Sequence, residues 1–104
     1  MFARVITIKA RPGKMPEAVK LSEEVVVPSV QTYPGFHHWY SFVDWKQEKG
    51  VSIAVWENEA DMNRYQQEVM PGVFQELSKY IEIESAQVET FDVPISAPAD
   101  VMPV

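Results

Sequence analysis

The chain has 104 residues, 46% of them apolar and 12% aromatic, with no cysteine and a formal net charge of −6. That length and composition fit one domain with a buried core, not a disordered segment. The acidic balance argues against nucleic acid and anionic membranes, no apolar run approaches the ~18 residues of a helical membrane span, and disulfides and thiolate metal sites are excluded.

The start, Met1-Phe-Ala-Arg-Val-Ile, lacks the basic region and long apolar core of a signal peptide. A cytoplasmic location is therefore expected. Ala3 to Ala10 reads as the first strand, carried by Val5, Ile6, Thr7 and Ile8. Arg11-Pro12-Gly13-Lys14 is a turn. A helix follows from about Pro16, with Ala18, Leu21 and Val25 on its apolar stripe, and Pro28 is expected to kink or stop it near Val30. Tyr33-Pro34-Gly35 turns the chain into an aromatic run, Phe36 to Asp44, and a β-branched run, Val51 to Trp56. The polar stretch between them, ending in Gly50, makes the pair a β-hairpin with a longer loop. Asn58 is a good N-cap for a second helix over about Glu59–Val69, with Met62, Tyr65 and Val69 on one face. Met70-Pro71-Gly72 interrupts that helix, as a bend or as the hinge of a lid. A shorter helical piece follows, with Val73, Phe74, Leu77 and Ile81 as its apolar positions, and then a last strand over Glu82–Val93. Residues 94–104, with prolines at 94, 98 and 103, read as an extended arm beyond a domain of residues 1–93.

The element order β-α-β-β-α-β is the ferredoxin-like arrangement, an α+β fold with a four-stranded antiparallel sheet and both helices on one face. In the hairpin, strand alternation groups Phe36, His38, Tyr40 and Phe42 on one face and His37, Trp39, Ser41 and Val43 on the other. Neither face is polar, so both are expected to be covered. The cover expected for the outer face is a second copy, giving a homodimer whose sheets close into an eight-stranded barrel.

At this point the chain resembles the antibiotic biosynthesis monooxygenase domains of the dimeric α/β-barrel superfamily. The resemblance spans roughly Phe2 to Val93. Its marks are Arg11-Pro12-Gly13-Lys14, Tyr33-Pro34-Gly35-Phe36 and Val55-Trp56-Glu57-Asn58-Glu59-Ala60. It implies a hydrophobic cavity between sheet and helices. In some members it also implies oxygenation of quinols or anthrones with neither metal nor flavin: the deprotonated substrate passes an electron to O2, and the protein supplies a dry pocket, positioning and a few hydrogen bonds. No cofactor is accordingly expected. Other members degrade haem with an Asn on the first strand and a Trp and a His on the second helix. This chain has no Asn on that strand and no His after His38, which disfavours that reaction.

His37 and His38 are the only histidines, and as strand neighbours they point to opposite faces. They cannot readily ligate one metal, and no metal site is expected. Either could instead accept a phenolic proton near neutral pH, against the alternative of a hydrogen-bonded histidine at the sheet rim. Tyr40 and Tyr65 are candidates to orient substrate oxygens, against aromatic core with a solvated hydroxyl. Phe36, Trp56, Met62, Asn63 and Phe74 are the candidate substrate-binding residues, with Asn63 and Arg64 at the pocket mouth. Trp45, in the hairpin loop, is a candidate cover for a seam between copies or for a neighbouring pocket. The reading is a cofactor-independent monooxygenase of a small phenolic, quinol or anthrone-like molecule, acting as a homodimer with O2. Its rivals are a non-catalytic dimeric barrel that binds a small apolar ligand, and an acid/base isomerase or cyclase of the same superfamily.

Overall fold

In the computed structural model, which describes residues 1–100, the elements run β1 (Phe2–Ala10), α1 (Met15–Leu21), a π-helical segment (Ser22–Val26) and α2 (Val27–Gln31). They continue with β2 (Phe36–Asp44), β3 (Lys49–Trp56), α3 (Glu59–Glu68), α4 (Met70–Leu77) and β4 (Ile81–Asp92). The strands form one antiparallel sheet in the order β2-β3-β1-β4. This is the ferredoxin-like sheet.

The expected closure into a dimeric α/β barrel is corrected by this topology. The sheet is open, with β2 and β4 as its two edges. A barrel filled by its own side chains takes about eight strands, and four cannot curve far enough to pair edge with edge. An apolar outer face calls for cover; it does not by itself dictate closure. That face remains exposed, with Tyr40 and Phe42 half exposed at 50% and 52%. Residues 93–100 carry neither helix nor strand, and the last four residues of the expected arm lie outside the described residues.

Local chemistry explains the element boundaries. The helix after β1 does not kink at Pro28 as a simple α-helix would. Instead, the five residues Ser22–Val26 widen into π geometry just before it, and Pro28 sits in the first turn of α2. Proline lacks an N–H and clashes with the carbonyl four residues back, which here is Glu24; the wider turn relieves that clash. Asn58 caps α3 by accepting from the Asp61 backbone N–H at 2.9 Å, and the Asp61 carboxylate accepts from Asn58 Nδ2 at 2.9 Å. Pro71 falls at the start of α4, where its missing N–H costs nothing. Ile81 begins β4, not the end of a helix, and is 2% exposed.

β2 contains a register shift. Phe36 pairs with Trp56, but His38 pairs with Val55, so two residues of β2 oppose one of β3: a β-bulge with His37 as the extra residue. The bulge puts Phe36 on the same face as Trp39, Ser41 and Val43, against the helices. His38, Tyr40 and Phe42 line the outer face, stacked along the strand with ring centroids 4.4 Å and 6.1 Å apart.

Gly35 has φ +82°, and a Cβ there would collide with the Asp61 carboxylate. Its carbonyl also accepts the Glu57 N–H at 2.7 Å, which ties the turn to the end of β3. Gly35→Ala is expected to destabilise the domain by about 2 kcal/mol or more, through strain and displacement of the α3 cap. Urea denaturation checks this.

Candidate functional site

A cavity lies between the inner face of the sheet and the helices. Its volume is about 90 Å3, several times the room one water needs. β1 contributes Arg4, Ile6 and Ile8; β2 contributes Trp39, Ser41 and Val43; β3 contributes Ser52, Ala54 and Trp56. The α1–α2 arm closes one side with Met15, Ala18, Ser22, Val26 and Val30, and α3 and α4 close the other with Met62, Tyr65, Gln66, Met70, Val73 and Phe74. Among the described residues, the lining contains no Asp, Glu or His, and Arg4 is its one charged residue. Gly50 leaves space where β3 passes β1: a Cβ there would stand 3.1 Å from Ile8.

Trp56, 1% exposed, is the hub of an aromatic cluster. Tyr33, Phe36 and Tyr65 meet it with ring centroids 5.9, 5.5 and 5.3 Å away, the first two edge-on. Such edge contacts add to the area each ring buries. Tyr33 also donates to Glu68 at 3.0 Å.

Tyr65 is buried, and its hydroxyl lies 2.7 Å from Ser29 Oγ. Ser29 has one proton, which it donates to the Val26 carbonyl at 2.7 Å. Tyr65 is therefore the donor to Ser29, and its own oxygen keeps acceptor capacity. Burial pushes the Tyr65 hydroxyl above its ordinary pKa, and the Ser29 hydrogen bond pulls it partly back. The group stays neutral at physiological pH.

Arg4 reaches α3, where it donates from Nη2 to Asn63 Oδ1 at 2.9 Å. Its Nε is buried and has no hydrogen-bond partner among the described residues. Burial lowers the Arg4 pKa, opposed by the charge of Glu59; the guanidinium still stays protonated.

The residues singled out from the sequence divide into two groups. Tyr65, Trp56, Met62 and Phe74 line the cavity, and Asn63 touches it through Arg4. Phe36 packs on Trp56 behind the wall. His37, His38 and Tyr40 are not among the lining residues: His37 is exposed and pairs with Glu57 at 2.5 Å, and His38 stacks on Tyr40 outside. The structure thus does not bring either histidine to Tyr65. Arg64 pairs with Asp61 at 3.2 Å, and Trp45 is exposed in the hairpin turn. Sequence reasoning missed Arg4, Ser29 and Trp39. Arg4 shares strand parity with Ile6 and Ile8, and that inward cation was the available signal. Among the described residues, no group of three His, Cys, Asp or Glu could hold a metal ion, and no helix is long and apolar enough to cross a membrane.

A four-stranded antiparallel sheet, helices on one face and an apolar cavity between them define a small ferredoxin-like α+β domain. The chain belongs to the antibiotic biosynthesis monooxygenase family, whose model matches residues 1–77. Its fold is similar to that of SnoaB, a cofactor-independent oxygenase from Streptomyces nogalater, with TM-score 0.76 and 16% identity over 94% of this chain and 97% of that one. It is equally similar to a protein of unknown function from Nitrosomonas europaea, with TM-score 0.77 and 12% identity over 95% of both chains. A protein from Shewanella oneidensis follows, with TM-score 0.72 and 14% identity over 86% of this chain and 87% of that one. At these identities the likeness is one of fold. No curated protein matches the chain.

Proposed function

We propose that the domain is a cofactor-independent oxygenase of a small phenolic, quinol or anthrone-like molecule. One observation carries the reading: a cavity with apolar walls, an aromatic hub at Trp56 and a single neutral, hydrogen-bonded tyrosine, Tyr65, among them. Family membership and the fold shared with a cofactor-independent oxygenase support it. In the reaction proposed, an anthrone-type CH2 and O2 give C=O and H2O. The substrate supplies all four electrons, one oxygen atom enters the product and the other leaves as water. The protein excludes bulk water from the electron-rich intermediate and fixes the ring against Trp56, Met62 and Phe74. Tyr65 accepts a hydrogen bond from a substrate hydroxyl.

Oxygen uptake with a panel of hydroquinones, naphthohydroquinones and anthrones tests the reading, with each autoxidation rate subtracted. Protein-dependent uptake, lost when Trp39→Ala or Phe74→Ala reshapes the cavity, supports it. Absence of uptake across the panel moves the reading to a ligand-binding domain.

A homodimer is part of the proposal, formed over the open outer face of the sheet. His38, Tyr40 and Phe42 are among the aromatic contacts available there. The double substitution Tyr40→Glu and Phe42→Glu is expected to leave a folded monomer, because burying two unpaired carboxylates costs several kcal/mol. Light scattering after gel filtration reads the outcome.

A further inference from the structure

We propose that Arg4, held by Asn63, is the anion-binding group of the cavity, and that the ligand enters as an aromatic monoanion, a phenolate or enolate. The inference rests on the oxygenase reading for its substrate class, and names the charge state in which that substrate binds.

A phenol or anthrone must lose a proton before it can pass an electron to O2. Among the lining residues there is no carboxylate and no imidazole to take that proton, and Tyr65 is neutral with its own proton committed to Ser29. The wall does contain one fixed positive charge, Arg4. A cation in an apolar wall favours the ionised form of an acidic ligand, because Coulomb attraction grows as the local dielectric falls. The proton is then released to solvent as the ligand binds, and no internal base is required.

The geometry of Arg4 fits the role. Asn63 accepts from Nη2 at 2.9 Å and so fixes the plane of the guanidinium. Asn63 is neutral, so it orients the group without cancelling its charge. The buried Nε has no partner among the described residues, an arrangement that costs free energy unless a ligand oxygen completes it. The acidic group acting on Arg4 is Glu59 at the start of α3, exposed to solvent and not part of the cavity wall. On the flanking strands Arg4 pairs with Ala54 and Thr90, both uncharged. The protein as a whole is strongly acidic, so a preference for an anion has to originate inside the cavity.

The test uses 4-nitrophenol, whose phenolate is yellow and whose neutral form is not, titrated with the full chain at several pH values. Turnover is not needed, so failure of this inference and failure of the oxygenase reading are separately visible. The expected result is that wild-type protein binds the phenolate about tenfold or more tighter than the phenol, lowering the apparent pKa of the bound dye by about one unit or more. Arg4→Met should abolish the preference, and Arg4→Lys should retain part of it, since the charge stays but the planar fork is lost. Asn63→Ala, which frees the guanidinium, should reduce the shift without removing it. Circular dichroism confirms that each variant is folded, and if Arg4→Met does not fold, the wild-type shift and its partial loss in Asn63→Ala remain decisive. Equal or tighter binding of the neutral phenol by wild type overturns the proposal. So does a phenolate preference that survives in folded Arg4→Met, or no binding of either form.

Discussion

Replacing Trp56 with alanine is expected to cost about 3–5 kcal/mol, the range for deleting a large buried aromatic. The ring is 1% exposed, and Tyr33, Phe36 and Tyr65 all pack on it. No single neighbour can move in to fill the space, because each is fixed by another bond or strand: Tyr33 by Glu68, Phe36 by the hairpin, Tyr65 by Ser29. With a total stability of about 5–15 kcal/mol typical of such domains, the variant would be marginal, its melting point lower by more than about 12 °C. Trp56→Phe, which keeps an edge-to-face partner, should lose less than half as much. Differential scanning calorimetry of the two variants separates lost packing from a general intolerance of substitution at this site.

Tyr65→Phe is the second large effect, and it appears in two measurements. Removing the hydroxyl deletes the hydrogen bond to Ser29, yet Ser29 keeps its bond to the Val26 carbonyl, so the stability cost at neutral pH is about 1 kcal/mol. Turnover of a hydroxylated substrate should fall further, by about tenfold or more, because the acceptor that orients it is gone. The alkaline limb carries a distinct sign. The folded protein holds the Tyr65 proton more tightly than the unfolded chain, since burial raises its pKa. Above the ordinary tyrosine range the unfolded state has lost that proton while the folded state retains it, so stability falls as pH rises. The contribution is complete below the unfolded pKa and is lost as pH climbs through the folded one. Tyr33 is raised too, first by burial and then by Glu68, and acts with the same sign. The difference between wild type and Tyr65→Phe in urea midpoints from neutral to alkaline pH isolates Tyr65, and a difference that does not change with pH would contradict the assignment.

Much of the fold was legible because it depends on local chemistry. Pro-Gly turns, the Asn58 cap and the 3.6-residue spacing of Met62, Tyr65 and Val69 each act over a few residues. The same spacing placed Tyr65 and Met62 in the cavity wall. What was not legible depends on partners distant in sequence. The π segment before Pro28 is one of several ways to relieve the same clash. The open sheet follows from strand number and edge position, whereas the apolar outer face indicated only that something covers it. Arg4 shares the parity of Ile6 and Ile8, but one basic residue among scattered others is no motif in itself. Simple alternation along β2 predicts the faces of the two histidines, and it fails at His37.

That single extra residue has a consequence for how β2 can change. Before it, Phe36 points toward the helices; after it, the odd-numbered Trp39, Ser41 and Val43 do. The bulge is a phase converter: it lets one strand hand Phe36 to the interior and then present His38, Tyr40 and Phe42 to the exterior, with only His37 left out of the ladder. The two sets of positions meet different surroundings, the one the packed interior and the other the open face. Any alignment or redesign that counts by twos across His37 will exchange them.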